Sequence, residues 1–156
     1  MVVLLIGLIG VMALFGHTII ALGFAQQNLI AKQKAREAME SIFTARNTAQ
    51  VSFDQIRNVS DGGVFLDGLQ PLNDPGPDGL VGTSDDGSIE TMRLAGKDGL
   101  LGTPDDEARP LTGFRRQIQL SSISAEMRQI TITLRYSGKQ GFTRNYQVVS
   151  YISPYR

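Results

Sequence analysis

The residues with the clearest chemical potential are aspartates in two nearly identical segments of this 156-residue chain. Residues 76–86 read GPDGLVGTSDD and residues 96–106 read GKDGLLGTPDD, and the two differ at three positions. Hard cations such as Ca²⁺ bind carboxylate and carbonyl oxygens on a tightly turning backbone, and Asp and Gly at these spacings supply both. The repetition predicts at least one structural calcium site.

The first segment also fits part of a calcium-binding loop counted from residue 74. Carboxylates stand at the first, fifth and twelfth positions, with a glycine at the turn and a carbonyl after it: Asp74, Asp78, Asp85, Gly79 and Leu80. The match is incomplete, because Gly76 occupies the third position and Leu94 replaces the first ligand of the second segment. The alternative is a pair of ordinary solvated turns. The predicted ligands are Asp74, Asp78, Leu80, Asp85, Asp86, Asp98, Asp105 and Asp106, with Glu107 as a further candidate.

The composition argues against most other chemistry. Fifteen basic and fifteen acidic residues leave no net charge, and there is no Cys for a disulfide, a thiolate metal site or a nucleophile. The single histidine, His17, lies in an apolar stretch, and no Ser stands in a GxSxG motif. We therefore expect no enzymatic activity. The cations Arg115, Arg116, Lys139 and Arg144 are scattered, which indicates a solvated sheet face rather than a nucleic-acid site.

The elements that must position the loops begin with an apolar segment. No charged residue occurs from Met1 to Ala31, and residues 1–25 predict a transmembrane helix without clear signal-peptide features. Basic residues follow this segment at Lys32, Lys34 and Arg36 and none precedes it, which by itself would place the C-terminal part in the cytoplasm. We expect instead that a short basic leader is missing from the start and that the C-terminal domain is extracytoplasmic.

Helical periodicity continues beyond this segment. Residues 26–60 place Ala35, Met39 and Ile42 on one face and most charges elsewhere. The first strong stop signal is the run Asp61-Gly62-Gly63. A continuous helix of about 58 residues, about 85 Å long, is therefore predicted.

The remaining sequence predicts loops and then a sheet. Residues 61–111 are rich in Gly, Asp and Pro, although residues 88–94 can form a short strand that makes a hairpin between the repeated segments. Residues 112–156 predict antiparallel strands: Ile118 and Leu120 alternate with glutamines, residues 129–136 alternate strictly, and residues 142–152 follow a turn at 137–141. The amphipathic half of the helix must cover the apolar sheet face, so the fold class is α+β.

This layout resembles type IV pilins and type II secretion pseudopilins along the whole chain. The ending RQITITLRYSGKQGFTRNYQVVSYIS is most similar to minor subunits of the PilV and I-type pseudopilin kind. The opening residues 1–6 look like the part of the mature family helix that follows its conserved Glu. The basic leader, the Gly-Phe processing junction and that Glu are absent, as are the cysteines found in many pilins.

The resemblance implies a structural minor subunit of a type IV pilus or type II secretion filament. Its implied partners are other pilin or pseudopilin subunits through the N-terminal helix, inner-membrane lipid, a prepilin peptidase and an assembly ATPase. The implied location is a single-pass inner-membrane protein with a periplasmic domain that assembles into a periplasmic or cell-surface filament. The alternative function is a stand-alone, membrane-tethered calcium-binding module for adhesion or ligand capture.

Overall fold

One long helix and a four-stranded antiparallel sheet organise the protein, whose computed structural model describes residues 2–137 and 142–155. Helix α1 spans Val2–Asn47, and short 3-10 turns follow at Phe53–Gln55 and Val59–Asp61. The strands are β1 (Gln70–Pro71), β2 (Thr91–Leu94), β3 (Glu107–Pro110), β4 (Phe114–Ser124), β5 (Met127–Ser137) and β6 (Thr143–Ile152). Residues 138–141 of the predicted turn lie outside the described residues.

Helix α1 ends well before the predicted limit at residue 60. Ala49 adopts a left-handed conformation with φ of 60°, which turns the chain away from the helix axis. The N–H of Gln50 donates to the carbonyl of Ala45 at 2.9 Å, and the N–H of Ala49 donates to that of Arg46 at 3.2 Å. These two bonds satisfy carbonyls of the last helical turn. The helix therefore ends at Asn47, and the prediction of one continuous helix through residues 26–60 is corrected.

The sheet has the order β1-β4-β5-β6, with antiparallel neighbours throughout. The central register places Ile118 opposite Ile132, and Ile132 opposite Val148. Strands β2 and β3 form a separate hairpin. The predicted antiparallel arrangement of the last three strands is therefore observed, and the strand predicted at 88–94 corresponds to β2.

The core lies between the second half of α1 and the inner face of the sheet. Ala31, Ala35 and Ala38 are fully buried, and their small side chains let the helix backbone approach the sheet closely. The apolar side chains of Ile130 and Ile132 are also fully buried beneath them. This packing fixes the sheet against the helix and leaves the loops at the edge of the domain.

The predicted transmembrane character of the first half of α1 is not supported. Among the residues described, no helix is both long enough and apolar enough to span a bilayer. The predictions of a transmembrane helix and of a single-pass inner-membrane protein are therefore wrong.

Candidate functional site

The two repeated segments, loop 1 (residues 76–86) and loop 2 (residues 96–106), have the same backbone path. Each contains two glycines with positive φ at matching positions: Gly79 and Gly82 at 69° and 82°, and Gly99 and Gly102 at 71° and 91°. These angles lie in the left-handed region that favours glycine. The repeat in the sequence is therefore a repeat in structure.

A further glycine permits the closure of each loop. A Cβ added at Gly76 would lie 2.4 Å from the carbonyl oxygen of Asp85, and one added at Gly96 would lie 2.3 Å from that of Asp105. Such a contact is closer than any real Cβ approach, so no other residue fits without movement of the backbone. The first and tenth residues of each loop are thereby held together.

Local hydrogen bonds account for several of the predicted ligand oxygens. In loop 1, the N–H of Leu80 donates to Oδ1 of Asp78 at 2.8 Å, and the N–H of Asp78 donates to Oδ2 of Asp85 at 3.3 Å. In loop 2, Asp98 and Asp105 accept the matching bonds at 2.8 and 3.3 Å. The carboxylates therefore stabilise their own turns.

A threonine hydroxyl holds one aspartate of each loop in its ionised form. Oγ1 of Thr83 donates to Oδ1 of Asp85 at 2.7 Å, and Thr103 does the same for Asp105. This bond is the main reason that the pKa of Asp85 is lowered; slight burial opposes it, and the N–H of Asp78 adds to it. Because the folded pKa is depressed, this stabilisation is present above the ordinary value near 3.8 and is lost as the pH falls further.

The predicted metal ligands come together only in part. The structure brings Asp78 and Asp85 together in loop 1, while Asp74 pairs through its backbone with Gly87 and Ser88. Within the described ranges, no group of three or more acidic or histidine side chains is arranged to hold a metal ion. The third aspartate of loop 1, Asp86, lies near the guanidinium of Arg116 instead.

Calcium binding remains a prediction, which isothermal titration of the full chain tests. We expect a Kd of about 1 mM, because each loop gathers two carboxylates and weak sites in proteins have few charged ligands. The double variant Asp78→Asn with Asp98→Asn, which removes one carboxylate from each loop, is expected to abolish the binding heat. A Kd below about 1 µM would show that the loops close into a complete site.

The two loops differ sharply in what their apolar residues contact. Leu80 and Val81 of loop 1 are 2% and 9% exposed and belong to the core. Leu100 and Leu101, at the same positions of loop 2, are 63% and 68% exposed. Loop 1 therefore inserts an apolar pair into its own domain, and loop 2 presents the equivalent pair to the surroundings.

Loop 1 is held in place by backbone, apolar and charged contacts. The carbonyl of Gly82 accepts the N–H of Leu66 at 2.7 Å, and the Gly82 backbone lies against the side chain of Ile118. Oδ2 of Asp86 lies 3.8 Å from Nη2 of Arg116, and both side chains are almost completely buried. The receptor for loop 1 thus combines an apolar surface, an N–H donor and a guanidinium group.

The charged group beneath loop 1 extends to the helix. Lys34 of α1 pairs with Glu37 at 2.6 Å and also with Glu90, which lies just before β2. Burial lowers the pKa of Lys34, but hydrogen bonds to Glu37 and Glu90 outweigh it, so the pKa is raised. Arg116 was predicted to lie on a solvated face, but it is 3% exposed. Its alternation with Phe114 and Ile118 was the signal for burial.

The first half of α1 projects beyond the β-domain with large apolar side chains exposed. Among the described side chains, contacts with the domain begin near Phe24, whose ring centroid lies 4.4 Å from the guanidinium of Arg144. Gln27 donates to the carbonyl of Ser137 at 3.2 Å. The described large apolar residues that precede this point are 50% to 69% exposed: Leu8, Ile9, Val11, Met12, Leu14 and Phe15. At 3.6 residues per turn their positions cover roughly 220° of the helix circumference, which is wider than a single stripe.

No protein-family profile, no curated protein and no solved structure matches this chain. Its function is therefore inferred from the loops and the projecting helix.

Proposed function

We propose that this chain is a structural subunit of a filament of the type IV pilin or type II secretion pseudopilin kind. In such a filament the projecting halves of α1 pack together at the centre, and the β-domains lie outside. The single observation that carries the proposal is the exposure of six large apolar side chains within residues 8–15 of one helix. An apolar surface of this extent is typical of an interaction site.

The energy available from these side chains favours association. Burial of a Leu, Ile, Met or Phe side chain contributes about 1.5–3 kcal/mol, so the six described side chains offer roughly 10 kcal/mol before the cost of association. Because the apolar surface extends over roughly 220° of the helix circumference, a single neighbouring helix cannot cover it. Several neighbouring helices are needed, which indicates a multi-subunit assembly rather than a dimer.

The second half of α1 is not suited to pack against helices of other subunits. Such contacts are therefore limited to the projecting half. The inner face of the second half is covered by the sheet, where Ala35 and Ala38 are fully buried. The exposed side of the helix next to β6 carries the charges of Lys32, Arg36 and Glu40. These charges disfavour a dry helix bundle, so the β-domains are expected to remain at the outside.

Sedimentation velocity of the full chain tests this proposal. The wild type is expected to sediment as large assemblies, and the variant Leu14→Glu with Phe15→Glu is expected to sediment mainly as monomer, because two buried charges would interrupt the helix contacts. The control is Gln119→Glu, which adds a charge to an exposed position of β4 and should leave assembly unchanged.

A monomeric wild type that binds a ligand would contradict the filament proposal and favour the alternative of a stand-alone binding module. Circular dichroism of each variant distinguishes loss of assembly from loss of folding.

A further inference from the structure

The exposed leucines of loop 2 indicate that this loop docks onto another surface, because its own domain does not cover them. Loop 2 has the same backbone as loop 1, and loop 1 places its corresponding apolar pair in the core. The positions that differ between the two loops do not explain this contrast, because Leu100 and Leu101 are as apolar as Leu80 and Val81. The difference lies in what surrounds each loop.

The receptor that holds loop 1 defines what loop 2 requires from a partner. Loop 1 uses an apolar surface for its Leu-Val pair and the guanidinium of Arg116 for Asp86. The equivalent carboxylate of loop 2, Asp106, accepts the N–H of Gly102 at 2.7 Å, just as Asp86 accepts that of Gly82. A receptor for loop 2 must therefore offer an apolar groove with a cation beside it.

A groove with these properties lies between α1 and β6, at the edge of the sheet opposite to β1. Its volume is about 640 Å³, and the residues that matter are Leu29, Met39, Val148 and Val149 for apolar contact and Lys32 and Arg36 for charge. Glu40 is a single anion on the same rim, so the charged side chains of the groove sum to one net positive charge.

One chain cannot fill its own groove with its own loop 2 by a local contact. Loop 2 is the tip of the β2–β3 hairpin, which leads into β4, and β5 separates β4 from β6. The loop and the groove therefore belong to opposite edges of the sheet. A contact between loop 2 of one copy and the groove of the next is heterologous, and contacts of this kind build open, head-to-tail assemblies.

We propose that the α1–β6 groove receives loop 2 of a second copy of this chain. Leu100 and Leu101 enter the groove, and the carboxylates of loop 2 lie next to Lys32 and Arg36. This contact rests on the filament proposal and adds to it the surface by which neighbouring β-domains meet.

Disulfide cross-linking tests this contact with no background, because the natural chain has no cysteine. The full-length variant Leu100→Cys with Val149→Cys places one thiol on the loop and one on the groove, both at exposed positions. Mild oxidation is expected to give a ladder of covalent dimers, trimers and longer products. The matched control is Leu100→Cys with Gln119→Cys, whose second thiol lies on β4 outside the groove. A ladder no stronger than that of the control would overturn the proposal.

Sedimentation of four full-length proteins, the wild type and three variants, separates failure of this contact from failure of the helix contact. The variant Leu100→Ser with Leu101→Ser, and separately Arg36→Glu, are each expected to weaken assembly at least tenfold with unchanged melting temperature. Wild-type assembly that these variants leave unchanged overturns the loop contact alone. Loss of assembly in these variants but not in Leu14→Glu with Phe15→Glu supports the loop contact and overturns the helix core. A wild type that stays monomeric overturns both.

Discussion

Replacement of Leu80 by Ala is expected to lower the free energy of unfolding by about 3 kcal/mol, as large-to-small changes at buried leucines do. Leu80 is 2% exposed and lies in the core beneath loop 1. The structure provides a matched control in Leu100, which occupies the same position of a loop with the same backbone conformation but is 63% exposed. Leu100→Ala is expected to change the free energy of unfolding by less than about 0.5 kcal/mol.

Chemical denaturation of the two variants measures this difference, preferably on protein kept dilute so that assembly does not contribute. Equal destabilisation by the two changes would show that both leucine positions are buried. Loop 2 would then not be a free docking element.

Replacement of Asp86 by Asn is expected to cost about 3 kcal/mol, because it leaves the guanidinium of Arg116 buried without its nearest carboxylate. Arg116 is 3% exposed, and burial lowers its pKa while the charge of Asp86 opposes that shift. Asn keeps an oxygen that can accept the N–H of Gly82, so the change removes the charge and retains the turn.

The equivalent change in loop 2 serves as the control that separates the effect of the buried charge pair from the effect of the turn. Asp106→Asn removes a carboxylate that accepts the N–H of Gly102 but is not paired with a buried arginine in the described structure, and we expect a cost below about 1 kcal/mol. The double change Asp86→Asn with Arg116→Met is expected to recover most of the lost stability, since it removes both buried charges. A cost for Asp86→Asn as small as that for Asp106→Asn would show that the buried pair contributes nothing.

The helix and the three long strands β4, β5 and β6 were accessible from the sequence because each has a strong period, whereas the short strands β1 and β3 were not predicted. The alternation around Ile118 and across Ile130 to Tyr136 predicts the strands, and the observed register places these residues in the core. The end of α1 was not accessible in the same way. Ala49 supplies the left-handed residue that stops the helix, and Ala carries no such signal, whereas the later Gly62 does.

The sequence predicted that the two loops repeat, but it did not predict how each loop packs against the domain. Sequence spacing singled out Leu80 as a carbonyl ligand, yet its main contribution is a side chain in the core. Nothing local distinguishes it from Leu100, because the two segments are nearly identical. The difference lies in the rest of the domain, where Gly82 of loop 1 contacts Leu66 and Ile118. For Arg116, the alternation with Phe114 and Ile118 signals burial, but nothing in the sequence identifies Asp86 as its partner, because the two residues are far apart in the chain.

Helical reconstruction of the assembled full-length chain by electron cryomicroscopy tests whether the projecting halves of α1 form the centre of a filament. We expect filaments whose axis is formed by the projecting halves of α1, with neighbouring helix axes about 10 Å apart and the β-domains on the surface. Filaments with β-domains at the axis and the apolar residues 8–15 facing solvent would contradict the proposed packing of α1 at the centre. So would a protein that stays dispersed and forms no periodic assembly at any concentration.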